Sequence, residues 1–139
     1  MSTNSIKEIL TLHVSVKGCD GWSGLLPEPN TSGTDGPLAS LAQARDRIRS
    51  MRKSGTLRGP VDVLVHGGLY KIADTLKFTT EDLGDVTTPV TFKAAGDGEA
   101  RLVGGISLGS FTTHEGPIMK LDLDASGYKG INFRQLFFR

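Results

Sequence analysis

Val61-Asp62-Val63-Leu64-Val65-His66 runs straight into Gly67-Gly68-Leu69-Tyr70, and the two halves of this stretch decide the fold. In the first half Val61, Val63 and Val65 alternate with Asp62, Leu64 and His66, the period-two pattern of a strand with one buried face. The glycine pair ends that strand and turns the chain into a second short apolar piece at 69–72. Similar pieces follow at 90–94 (VTFKA), ended by Gly96-Asp97-Gly98, and at 118–123 (IMKLDL), ended by Ala125-Ser126-Gly127. Val63, Phe92 and Leu121 lie 29 residues apart, Gly67, Gly96 and Ala125 fall at the same intervals, and Tyr70 and Leu102 take similar places after their turns. A period of about 20–50 residues holding several short strands is the mark of a solenoid, in which each coil buries its inner face on its neighbours. A sandwich or meander also gives short strands with frequent turn signals, so the pattern alone leaves both open.

Upstream, residues 10–17 alternate Leu10, Leu12, Val14 and Val16 with Thr11, His13, Ser15 and Lys17, another half-buried strand, preceded by a flexible start at 1–9. Residues 18–38 are dense in Gly, Pro, Asn, Asp and Ser. A connection of that length inside a compact domain packs on itself or carries function. Ser40 and Gln43 then form a capping box, in which the hydroxyl accepts the Gln43 amide and the Gln43 side chain returns to the cap. Leu41, Ala44, Ile48 and Met51 follow as one apolar stripe, and Gly55 is the stop. Arg45, Arg47, Arg49, Arg52 and Lys53 lie mostly off the stripe and suit the C-terminal end of the helix dipole. Further strand-like pieces stand at 76–79, 101–103 and 106–108.

The composition narrows the function classes. The chain has 139 residues, of which 22% are charged, and a net charge of +1. That balance speaks against a nucleic-acid footprint or a polybasic membrane patch. No apolar run approaches the roughly 18 residues of a membrane span. The 18 glycines, about 13% against a usual ~7%, suit many short strands joined by tight turns. Cys19 stands alone, so no internal disulfide is expected. The opening residues lack the basic and apolar regions of a secretory signal, which gives a cytoplasmic expectation.

The order of motifs carries a resemblance. Gly18-Cys19-Asp20 closes a strand, Asp35-Gly36-Pro37-Leu38 precedes the helix, and Ala44-Arg45-Asp46 lies within it. Val65 to Tyr70 forms a strand-Gly-Gly-x-Tyr turn, and Val103-Gly104-Gly105 closes the series. Across 12–105 this order resembles the opening of right-handed parallel β-helix proteins of the pectate-lyase-like superfamily. Among these it is most similar to bacterial β-helix glycoside hydrolases of the xylanase and α-L-fucosidase type. The tail at 132–137 resembles the segment leading into the next coils. The resemblance implies an all-β fold: the first coils of a right-handed parallel β-helix over 10–139, with the helix covering its end. It also implies an N-terminal capping part of a polysaccharide-degrading enzyme, with the catalytic carboxylates on later coils, beyond Arg139. The resembled family is often secreted. A non-catalytic carbohydrate-binding module, or a structural remnant without activity, are the alternatives.

The residues in hand agree that a complete active site is missing. Glycoside hydrolysis needs two carboxylates about 5–9.5 Å apart. Glu81-Asp82 sits in a turn where acids commonly cap, and Asp122 with Asp124 reads as a solvated strand face. Asp62, Asp97, Glu99 and Arg101 show no calcium-loop spacing. His13, His66 and His114 form no zinc motif, and His66 is expected to pack or hydrogen-bond at a corner. The expectation is therefore no catalytic residue, no metal and no cofactor. Trp22 and Tyr70 are the candidate substrate-binding aromatics, weighed against core filling under the long loop. Polysaccharide is the expected partner, with no nucleic acid and no membrane. Leu121, Leu123, Phe133, Leu136, Phe137 and Phe138 would leave an open apolar C-terminal edge through which the chain self-associates.

Overall fold

The computed structural model describes residues 8–82, 84–132 and 134–137; the expected flexible start thus lies outside the described residues up to Lys7. The chain divides into two compact units, Met1–Gly105 and Ile106–Arg139.

The first unit contains β1 (Leu10–Val14), α1 (Leu41–Lys53), β2 (Val61–Val65), β3 (Gly68–Lys71), β4 (Val90–Ala94) and β5 (Ala100–Val103). β1, β2 and β4 form a parallel sheet in that order, and β3 pairs with β5 in a second parallel sheet. The register follows the sequence spacing: Leu12 lies beside Val63, Val63 beside Phe92, and Tyr70 beside Leu102. Alternation decides which face is buried. Leu12, Val14, Val61, Val63 and Val65 point into the core, where Leu38 and Tyr70 join them. From α1 the stripe residues Leu41, Ala44 and Ile48 complete it.

Helix entry differs in one detail from the capping box. Ser40 Oγ accepts the Gln43 amide at 3.1 Å as expected, but the Ser40 amide donates to Asp20 Oδ1 at 2.9 Å. Asp20 also accepts from the Ala39 amide and the Ser40 hydroxyl, each at 2.9 Å. A carboxylate from the preceding loop thus does what Gln43 was expected to do, at the end of the helix where negative charge is favoured.

The long loop at 18–38 shields one edge of the three-stranded sheet. His13 donates its amide to the Gly24 carbonyl at 2.7 Å and accepts from the Leu38 amide at 2.8 Å, while Ser15 donates to the Leu38 carbonyl at 2.8 Å. The outer backbone groups of β1 are thereby satisfied, as an otherwise bare strand edge requires. Beyond β2 and β4 the two turns meet backbone to backbone. A Cβ added at Gly67 would stand 2.9 Å from the Gly98 Cα, so this approach requires glycine.

The piece expected as a strand at 76–79 is irregular, because α1 claims its polar groups. Arg45 donates to the Lys77 carbonyl at 2.9 Å. Arg49 forms two 2.6 Å bonds to the Asp82 carboxylate. Arg52 donates to the Glu81 and Thr88 carbonyls at 2.6 and 3.1 Å. The clasped segment sets Phe78 edge-on to Phe92 of β4, with centroids 5.3 Å apart.

The second unit contains β6 (Thr112–Glu115) and β7 (Ile118–Lys120), paired antiparallel with a bulge between Thr113 and Glu115. Gly116, at φ 53°, makes the reversal, a conformation that glycine adopts without a Cβ penalty. Every residue of both strands is exposed. The piece expected at 106–108 is irregular.

These elements correct the expected fold. The described residues form short separate sheets, parallel and antiparallel, with one helix and no closed coil, so a right-handed β-helix solenoid is not shown. The expectation failed at its third period. The turn at Gly116 offers residues 118–120 a local antiparallel partner, and Leu121, which was to stack on Phe92, lies outside any strand. Local closure of a few residues costs far less chain entropy than a distant parallel pairing.

Candidate functional site

Three polar side chains meet where the strands of the first unit end. His13 belongs to β1, His66 follows β2, and Asp97 lies in the turn after β4. His13 Nδ1 lies 2.9 Å from His66 Nε2, and His66 Nδ1 lies 2.6 Å from Asp97 Oδ2. The second carboxylate oxygen, Oδ1, accepts the Gly67 amide at 2.9 Å. The two imidazole centroids are 5.2 Å apart. With Asp97 ionised, the short contact places a proton on His66 Nδ1, so the neutral His66 Nε2 accepts from His13 Nδ1.

The electrostatics follow from these contacts. The hydrogen bond from His66 holds the Asp97 carboxyl below its ordinary value, helped by the Gly67 amide. Burial pushes His13 down, and the neighbouring His66 adds to this. Tyr70 supports the row from inside: its hydroxyl lies 2.7 Å from the His66 carbonyl and 3.1 Å from that of Val14. Burial, with the Asp97 charge second, raises the Tyr70 phenol. The arrangement ties β1 to the ends of β2 and β4 through one hydrogen-bonded row.

The expected aromatic pair occupies two different settings. Tyr70 is 4% exposed, so its ring has no free face for stacking. It stands in the wall of a groove of about 540 Å³, lined largely by aliphatic groups that include Val16, Leu41, Leu69 and Ile72. Trp22 is half-buried in the long loop. Its ring lies so close over Gly36 that an added Cβ there would come within 2.7 Å, and its carbonyl accepts from Arg47 at 2.6 Å. Asp35 braces this loop by accepting the Ser23 amide and hydroxyl and the Gly36 amide; the Ser23 bonds foremost lower its carboxyl.

Most of the carboxylates considered for chemistry have structural partners. Asp82 is bound by Arg49, which as the foremost cause lowers it to about 2. Asp62 pairs with Lys93 and Glu99 with Arg101, each at 2.6 Å. Asp122 accepts the Asp124 and Ala125 amides of its own turn, so Asp122 and Asp124 share a turn and not the strand face expected for them. Among the described residues no group of three His, Cys, Asp or Glu side chains is placed to hold a metal ion. No helix among them is long and apolar enough to cross a membrane.

Sequence spacing missed the histidine row because His13 and His66 are 53 residues apart and His66 and Asp97 31 apart. The usable signal was the parallel register, which lays Val14 beside Val65 and Val65 beside Ala94 and so gathers the strand ends near which the three residues lie.

No family model matches the chain, and no curated protein matches it. A solved structure named "Glycoside hydrolase" shares its fold with a TM-score of 0.62 at 24% identity, over 75% of this chain and 16% of that one. The chain thus spans 16% of the length of that structure.

Proposed function

We propose that this chain is a structural, non-catalytic part of a polysaccharide-degrading protein of the glycoside-hydrolase kind. The observation that carries this reading is the fold likeness over 75% of this chain to a small share of a protein named glycoside hydrolase. The engagement of Asp62, Asp82, Glu99 and Asp122 by structural partners supports it, since a glycosidase pair must leave both carboxyl groups open to the sugar. Reducing-sugar assays on xylan, pectin and fucosylated glycans test the reading. The chain alone should release nothing, whereas the full product of its gene should release sugar. A full product inert on all three overturns it, as does turnover by the chain alone that Asp122→Asn or Glu81→Gln abolishes.

A binding role for Trp22 and its loop is the second reading, favoured by the position of that ring in a braced, partly exposed loop. Affinity electrophoresis in the same glycans decides it: retardation lost in Trp22→Ala supports binding, and none argues for a scaffold. Self-association remains a proposal supported by the exposure of Ile118, Met119, Leu136 and Phe137; Phe133 and Phe138 lie outside the described residues. Sedimentation showing a monomer at all concentrations would refute it.

A further inference from the structure

The histidine row tolerates one added proton and not two. With both rings neutral, His66 donates from Nδ1 to Asp97 and accepts at Nε2 from His13 Nδ1. A first proton shared by the pair still leaves a single N–H between the facing nitrogens, since the tautomer of the neutral ring can adjust. Both states keep the 2.9 and 2.6 Å contacts. A second proton puts N–H groups on both facing nitrogens and two positive rings with centroids 5.2 Å apart. The hydrogen bond between them is then lost, and like charges oppose each other in a partly desolvated site.

We propose that His13, His66 and Asp97 form a one-proton latch across three strands, closed with no added proton or one, and opened at β1 by the second. The surrounding charges leave this balance to the row itself. On the neighbouring strands Asp62 and Lys93 neutralise each other. In the covering loop Asp20 is held by the amides of the helix start and Asp35 by those of Ser23 and Gly36. Lys17 and Glu28 stand 4.0 Å apart on the exposed side of that loop. Near the β5 end Glu99 binds Arg101, and from β3 the Tyr70 hydroxyl reaches the His66 carbonyl.

Opening at His13 has a route outward. The backbone of the same residue donates to the Gly24 carbonyl and accepts from the Leu38 amide, so displacing it strains both roots of the loop that shields the sheet. The direction of the pH effect follows. The folded value of His13 lies below its ordinary 6.5, so the unfolded chain binds more protons just below that pH. Stability is therefore full above about 6.5 and falls as acid is added. Asp97, lowered from 3.8, contributes stability that is present above that value and is lost only in stronger acid. The two effects occupy separate windows.

Ring ¹⁵N spectra of the intact chain, titrated from about pH 8 to about pH 5, test the latch. Two separated steps are expected for the pair, the second accompanied by faster hydrogen exchange at the Leu38 amide. Both rings titrating together, or a Leu38 amide indifferent to the second step, overturns the proposal. Melting midpoints give an independent reading. The intact chain should lose thermal stability between pH 7 and pH 5, and His13→Asn should remove most of that dependence. An unchanged slope in a folded His13→Asn overturns the latch; if that variant does not fold, the spectra of the intact chain still decide.

Discussion

Strand pairing occurs in both units of this chain, but only one of them buries what it pairs. In β2 Val61, Val63 and Val65 are buried and their neighbours are half-exposed, whereas β6 and β7 are exposed at every position. Both ladders satisfy backbone hydrogen bonds, so the contrast isolates the other contribution. Pairing supplies little net stability because water competes for the same groups, and an isolated two-stranded hairpin is marginal. Removing apolar side chains from water is what gives the parallel strands their hold.

The strongest way to break this contrast is Leu12→Ala. Leu12 is 1% exposed, and truncation should cost about 2–5 kcal/mol through lost transfer energy and a cavity. A chemical-denaturation midpoint that barely moves would mean that the burial does not stabilise.

A smaller loss, about 1–3 kcal/mol, is expected for Asp82→Asn, which takes from the Arg49 guanidinium its two 2.6 Å bonds to a carboxylate and leaves it the longer contact with Asp46. The same substitution should flatten the acid limb of stability. Asp82 is lowered from 3.8 to about 2, so its contribution is intact above about pH 4 and fades as pH falls towards 2. Urea titrations of both proteins at pH 7 and pH 3 measure this; parallel curves at both pH values refute it.

Ser40→Ala should cost about 0.5–2 kcal/mol, the usual range for an N-cap. Asp20 continues to hold the Ala39 and Ser40 amides in that variant, so the lower half of the range is expected from the shift in thermal midpoint. The double substitution Ser40→Ala with Asp20→Ala should exceed the single one.

The smallest effect belongs to β7. Ile118 is 56% exposed, and Ile118→Ala should change stability by no more than about 0.5 kcal/mol. A loss comparable to that of Leu12→Ala would show that the second unit has a core after all.

The first two periods of the repeat form parallel strands where apolar alternation places them, whereas the third does not. β4 was expected at 90–94 and is observed there; α1 was expected from Ser40 and runs from Leu41 to Lys53. Val63 does pair with Phe92, because apolar alternation fixes which face is buried and hence the register. β6 was invisible, since Thr112, Thr113, His114 and Glu115 contain no apolar residue to set a period. The arginines of α1 are expected to serve the helix dipole, yet Arg45, Arg49 and Arg52 reach carbonyls and a carboxylate beyond position 76, and Arg47 reaches the Trp22 carbonyl. Such long-range polar contacts leave no local pattern. The histidine row was missed for the same reason, although His66 was expected to hydrogen-bond at a corner and does so with Asp97.

The loop that covers β1 is fastened at two separate roots, through Gly24 on one side and Leu38 on the other, while Leu25 and Leu26 between them stand 54% and 37% exposed. A protease reaching that tip would therefore cut the chain without taking the molecule apart. The short N-terminal piece would stay in place through the β1–β2 ladder and its half of the loop, and the remainder through the other half. Such a nicked protein should travel as a single species on a native gel and release a small peptide only in denaturant. The loop is thus a natural place to open the chain when two complementing fragments are wanted.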